Sequence, residues 1–109
     1  MQNNEKKVKL VFFDTLVFTR LLSGYLNDEA YRALQQALMA NPDLGDEMSG
    51  TGGFRKARWE DSRRGKGKRS GLKVIYYYLK ADHQIWFFTL YDKSEATDLI
   101  SDEKNIQKY

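Results

Sequence analysis

Two apolar runs in the second half of the chain restrict its fold more than any other feature. Leu72–Leu79 reads LKVIYYYL, residues 85–91 read IWFFTLY, and a short polar turn at residues 81–84 separates them. Both runs are rich in β-branched and aromatic residues, which fit a pleated surface. Both fall far short of the ~20 apolar residues of a membrane span. The first is apolar on both faces except at Lys73, the pattern of a strand with neighbours on either side. The pair predicts an antiparallel hairpin whose first strand is central in a sheet.

A third strand precedes it. In Phe54–Trp59 (FRKARW) alternation puts Phe54, Lys56 and Arg58 on one face and Arg55, Ala57 and Trp59 on the other. Further upstream, residues 8–13 are short and rich in Val and Phe, which suits a strand. Asp14 or Thr15 can then cap a helix whose apolar face is Val17, Leu21 and Tyr25. Gly24 weakens the end of that helix. Asn27 caps a second one, with Asp28 and Glu29 in the first turn, where the helix dipole favours acids. Leu26 and Tyr31 occupy the positions of a hydrophobic staple. Tyr31, Leu34 and Leu38 form its stripe, and Pro42 ends it at Asn41. Residues 43–53, with four glycines, read as a connector. Residues 94–109 read as a short C-terminal helix or a partly ordered tail. The expected fold class is α+β in one domain over residues 1–109: a strand, a helical hairpin, then three antiparallel strands.

Charge is distributed unevenly over this frame. Residues 54–73 hold nine lysines and arginines against Glu60 and Asp61, a local charge of +7 in a chain of +3, so the remainder carries −4. A basic segment on a mildly acidic body suits a phosphate-bearing partner; a solvated loop is the plainer alternative. The chain has no cysteine and one histidine, His83 in the turn at 81–84. No cofactor is expected, no metal site is expected, and imidazole-based catalysis has no base near the basic segment. With no convincing targeting signal and no membrane span, a cytoplasmic location is expected.

Two strands with charged residues at their starts, joined by a basic loop, can put Lys56, Arg58 and Lys73 on one open sheet face. A lysine ringed by cations releases its proton more readily, so it can accept one, while its neighbours stabilise charge growing on a phosphate. Arginine cannot take the first role. Without metal or imidazole, a nuclease built here would use the 2′-hydroxyl of RNA as its nucleophile, which DNA lacks.

The order of elements and the segments GTGGFRKARW, GKGKRSGLKVIYYYL and FFTLYDKSEATDL resemble HigB-type toxins of the RelE/ParE toxin–antitoxin superfamily, over residues 8–99. The resemblance implies a RelE-like microbial-ribonuclease fold. It implies a ribosome-dependent endoribonuclease that cuts messenger RNA in the ribosomal A site, leaving a cyclic phosphate. The implied partners are the ribosome, mRNA and a HigA-like helix-turn-helix antitoxin. Where the family carries two alternating lysines this chain has Lys56 and Arg58; the family's phosphate-binding arginine corresponds to Lys73. Of its later basic pair Lys93 survives, with Ser94 as the departure. Its base-stacking tyrosine falls at Ile100, which leaves Tyr91 as the candidate replacement, against a packing role. Either Lys56 is the base, or phosphate stabilisation carries most of the rate. Arg55, Arg63, Arg64, Lys66, Lys68 and Arg69 are the expected grips on ribosomal or messenger RNA. A non-catalytic RNA-binding module and a ParE-like gyrase-targeting toxin are the competing readings.

Overall fold

The computed structural model describes residues 9–61 and 71–92. Its elements are β1 (Val11–Asp14), α1 (Leu16–Tyr25), α2 (Asp28–Ala40), β2 (Asp46–Glu47), β3 (Phe54–Trp59), β4 (Leu72–Leu79), a 3-10 turn (Lys80–Asp82) and β5 (Gln84–Asp92). The five strands form one sheet in the order β1-β5-β4-β3-β2. β1 runs parallel to β5, and the other neighbours are antiparallel. The hairpin predicted from the apolar runs is therefore at the sheet's centre, and the fold is α+β with two helices and a mixed sheet. The 3-10 turn closes the hairpin on His83, an exposed residue in the left-handed region at φ 56°.

Both helices start where a side chain satisfies an orphan backbone donor. At α1 this is Thr15, whose hydroxyl accepts from the Phe18 N–H at 3.2 Å and donates to the Phe88 carbonyl at 2.8 Å. At α2, Asn27 accepts from the Ala30 N–H at 2.8 Å. The apolar face of α1 differs from the expected one. Phe18 is fully buried, while Val17 is 47% exposed. Thr15 is tied to β5 at two successive carbonyls, Phe87 through its N–H and Phe88 through its hydroxyl, and this sets the rotation of the helix. The stripe facing inward is Phe18, Leu21, Leu22 and Tyr25, with the spacing of an amphipathic helix. α2 buries Leu34 and Leu38 and packs Tyr31 beside them, as its pattern predicts.

The main core lies between the helices and one face of the sheet. Phe18, Leu26, Leu34 and Leu38 meet Ala57, Leu72, Val74, Tyr76, Ile85, Phe87 and Leu90 there. Phe18 and Phe87 stack with ring centroids 4.8 Å apart, and Tyr31 meets Phe87 edge-on at 5.7 Å. A second, smaller cluster occupies the other face: Ile75 and Tyr91, with Met48, Phe54 and Phe88 against them. Phe88 is the extra residue of a β-bulge, since Ile75 pairs with Thr89 while Tyr76 pairs with Phe87.

The connector at 43–53 is more structured than its composition suggests. Asp46 and Glu47 form β2, pairing with Lys56 and Arg55. Gly50, Gly52 and Gly53 have positive φ in the turn that returns the chain to β3. Gly45 allows close packing instead: a Cβ there would lie 2.8–2.9 Å from the backbone of Lys56 and Ala57. Its N–H donates to the Tyr76 hydroxyl at 2.9 Å, that hydroxyl donates to the Pro42 carbonyl at 2.7 Å, and the Gly45 carbonyl accepts from Arg55 Nη1 at 2.7 Å. The connector is thus clamped to the sheet at the point where β2 begins.

Candidate nucleic-acid interface

Strand register decides which side chains share a surface, because residues directly opposite one another across a ladder lie on the same face. Ala57, Val74 and Phe87 belong to the helix-side core, so their strand neighbours point the other way. Arg58 is opposite Lys73, and Lys73 is opposite Tyr91. Two residues along, Asp46 is opposite Lys56, Lys56 opposite Ile75, and Ile75 opposite Thr89. Lys56, Arg58 and Lys73 therefore share the face turned away from the helices, on two adjacent central strands. Arg58 is exposed; Lys56 and Lys73 are half-buried.

Arg58 and Lys73 thus put two basic side chains directly opposite each other across the β3–β4 ladder. Beside them Tyr91 is 3% exposed and packs with Ile75. Buried in that cluster, its ring offers no open stacking face in this arrangement. Asp46 was not singled out by the sequence, because it sits in a stretch that reads as a turn. Its pairing with Lys56 brings a carboxylate to the edge of the cationic rows. Asp61 and Asp92, counted in the sequence only as charge, are buried at the same end of the sheet as Arg58 and Lys73.

Arg55 departs from its expected role as an RNA grip. Alternation sends it to the helix side, where its guanidinium bonds the Gly45 carbonyl and pairs with Asp43 at 3.2 Å. Its donors hold the connector in place. Arg63, Arg64, Lys66, Lys68, Arg69 and Lys93 lie outside the described residues, as does the expected C-terminal helix.

Two phenols have altered acidity, both on the helix side. Burial pushes Tyr31 well above the usual tyrosine value, and a 2.5 Å hydrogen bond to Asp14 together with that carboxylate's charge adds to the shift. Burial also raises Tyr76, against the opposing pull of the Gly45 N–H and Arg55. Neither faces the cations. Among the described residues no cluster of three or more His, Asp or Glu is placed to hold a metal ion, and no helix is long and apolar enough to cross a membrane.

The architecture is α+β, with two helices on one side of a mixed five-stranded sheet and a row of cations on the other. No family model matches the sequence. Among solved structures, the chain is similar to the toxin RelE of E. coli, in a double mutant in the free state. The TM-score is 0.55, with 14% sequence identity, covering 88% of this chain and 95% of that one. The fold is RelE-like.

Proposed function

We propose that this chain is a single-domain toxin of a bacterial type II toxin–antitoxin pair, of the HigB type, which cuts messenger RNA on the ribosome. The observation that carries the reading is the register that sets Arg58 against Lys73 with Lys56 two residues away, on the side of a RelE-like sheet turned away from the helices. The reaction is transesterification. The ribose 2′-oxygen attacks the adjacent phosphorus, the bond to the 5′-oxygen breaks, and the products are a 2′,3′-cyclic phosphate and a 5′-hydroxyl. Lys56 takes the 2′-hydroxyl proton, with Asp46 beside it as a second acceptor. Arg58 and Lys73 hold the phosphate and stabilise the charge that grows on its oxygens. A protonated lysine of the cluster returns a proton to the leaving oxygen. Tyr91, directly opposite Lys73 on the neighbouring strand, serves as a buried support beside the phosphate-binding residues. Lys93 and the basic residues 63, 64, 66, 68 and 69 are the remaining candidates for contact with message and ribosome. The natural partner is a HigA-like helix-turn-helix antitoxin, and the site of action is the cytoplasm.

Expression in bacteria with primer-extension mapping of cellular messages tests this. Codon-positioned cuts that vanish in Lys56→Ala and Lys73→Ala variants support the enzyme. Intact messages with measurable RNA affinity would mean a binding module, and DNA damage with intact messages would mean a gyrase-directed toxin.

A further inference from the structure

The same sheet face carries a feature that the cleavage chemistry does not use. Phe54 pairs with Tyr77, Tyr77 with Trp86, and Trp86 with Phe13, so one row of four aromatic side chains crosses β3, β4, β5 and β1. Phe13 and Trp86 stack with centroids 4.4 Å apart and planes 13° off parallel. Phe54 meets Tyr77 edge-on at 5.2 Å. The orientations are fixed from several sides. The Trp86 indole N–H donates to Gln84 Oε1 at 2.9 Å. Tyr77 lies over Gly53, where a Cβ would stand 3.2 Å from the ring, and Gly53 holds φ +116°. Trp86 nevertheless stays 39% exposed.

Among the described residues, neither core cluster takes in the outer half of this row. The helix-side core lies on the opposite face, and the small cluster under the cations takes in Phe54 and Phe88 but neither Trp86 nor Phe13. Along the strands the row is two residues from Lys56 and four from Arg58 and Lys73, about 7 and 13 Å. Ordered aromatic rings at that remove from a cationic cluster, on one sheet face, have the composition of a single-strand-binding surface: cations hold the backbone and rings take the bases.

We infer that the Phe13–Trp86 stack, flanked by Tyr77, is a platform for a nucleobase of single-stranded RNA whose backbone is gripped by Arg58 and Lys73. This deepens the proposed function by adding a base-binding site to the phosphate site, and it rests on that reading for its choice of RNA. The charge of the shared face favours a polyanion over a second copy of this chain or an apolar peptide.

The test is binding of a 2′-O-methyl oligoribonucleotide, which lacks the nucleophile and so reports affinity alone, to the full chain over a range of salt. Trp86→Ala is expected to weaken binding roughly 5- to 150-fold with the salt slope unchanged, since no phosphate contact is lost. Trp86→Phe should retain most of the affinity. Arg58→Ala should instead flatten the slope by about 0.7. Circular dichroism checks folding, and Trp86→Leu replaces Trp86→Ala if the alanine variant unfolds. Wild-type affinity in the folded variant, or a loss that comes with a flatter salt slope, overturns the inference. So does a change in self-association with RNA binding intact, which would assign the patch to a second copy. The two claims separate cleanly. A chain that binds the oligonucleotide through Trp86 but never cuts messages refutes the nuclease. A chain that cuts through Lys56 and Lys73 while ignoring Trp86 refutes the platform.

Discussion

Removing the Tyr76 hydroxyl should loosen the connector that delivers β2, and with it Asp46, to the edge of the cationic face. Tyr76 is fully buried, and its hydroxyl makes two hydrogen bonds, from Gly45 N–H at 2.9 Å and to the Pro42 carbonyl at 2.7 Å. Tyr76→Phe keeps the ring, so no cavity opens in the helix-side core. What is lost is the pair of bonds, each worth about 0.5–1.5 kcal/mol net, and the Gly45 N–H is left buried without that acceptor. The expected destabilisation is about 1–3 kcal/mol. At about 2.1 cal/mol/K per residue of unfolding entropy, that lowers the Tm of a chain this size by roughly 4–13 °C. Urea and thermal unfolding measure it, and the m-value should not change, because the same surface is exposed on unfolding. Amide exchange at Gly45 should accelerate out of proportion to the global change. A Tyr76→Phe variant within about 0.5 kcal/mol of wild type, with Gly45 still protected, would refute the idea that this hydroxyl clamps the connector.

Other outcomes follow from the same geometry. Gly45→Ala should destabilise by about 1–3 kcal/mol or more, since its Cβ would meet unyielding backbone at Lys56 and Ala57; chemical denaturation checks this. Thr15→Ala should cost about 1–2 kcal/mol by the same measurement, because one hydroxyl both caps α1 and ties it to β5. Tyr31 and Tyr76 both hold their protons more tightly in the folded chain. Their contribution to stability is therefore complete below the unfolded tyrosine value near pH ~10 and is lost as pH rises from there toward the folded values. Denaturation midpoints should fall above that pH, and a Tyr31→Phe variant should show a shallower fall. Lys56→Ala should slow cleavage by about 10²–10⁴-fold, read as the rate of appearance of cyclic-phosphate ends, while the unfolding midpoint stays close to wild type.

The strands and helices were legible because their signals are local. Phe54–Trp59 and Leu72–Leu79 fall where alternation and apolar runs put them, and both helix caps lie at side chains that can accept from the first turn. The shared face of Lys56 and Arg58 was readable from period-2 alternation, whereas the place of Lys73 beside them needs the β3–β4 register, which the long stretch of sequence between the strands leaves open. What escaped depends on tertiary contacts. Val17 replaced Phe18 in the expected stripe because the rotation of α1 is set by hydrogen bonds to β5, which no helical periodicity encodes. Arg55 looked like one more cation until its pairing showed it bonded to Gly45 and Asp43. β2 is two residues long and gains its place from the clamp at Gly45, so composition alone read it as a turn. The aromatic row needs the register of four strands at once, including the bulge at Phe88, before its members line up.

The central claim is that cations fixed in register on a RelE-like sheet cut RNA held on a ribosome. Toeprint mapping in a cell-free translation reaction, with and without ribosomes, tests it most directly. The account predicts new message ends, each carrying a cyclic phosphate, only when ribosomes are present, and none from a folded Lys56→Ala, Lys73→Ala double variant. Equal cutting by that double variant, or no cutting by the wild-type chain in translating extract, would contradict it.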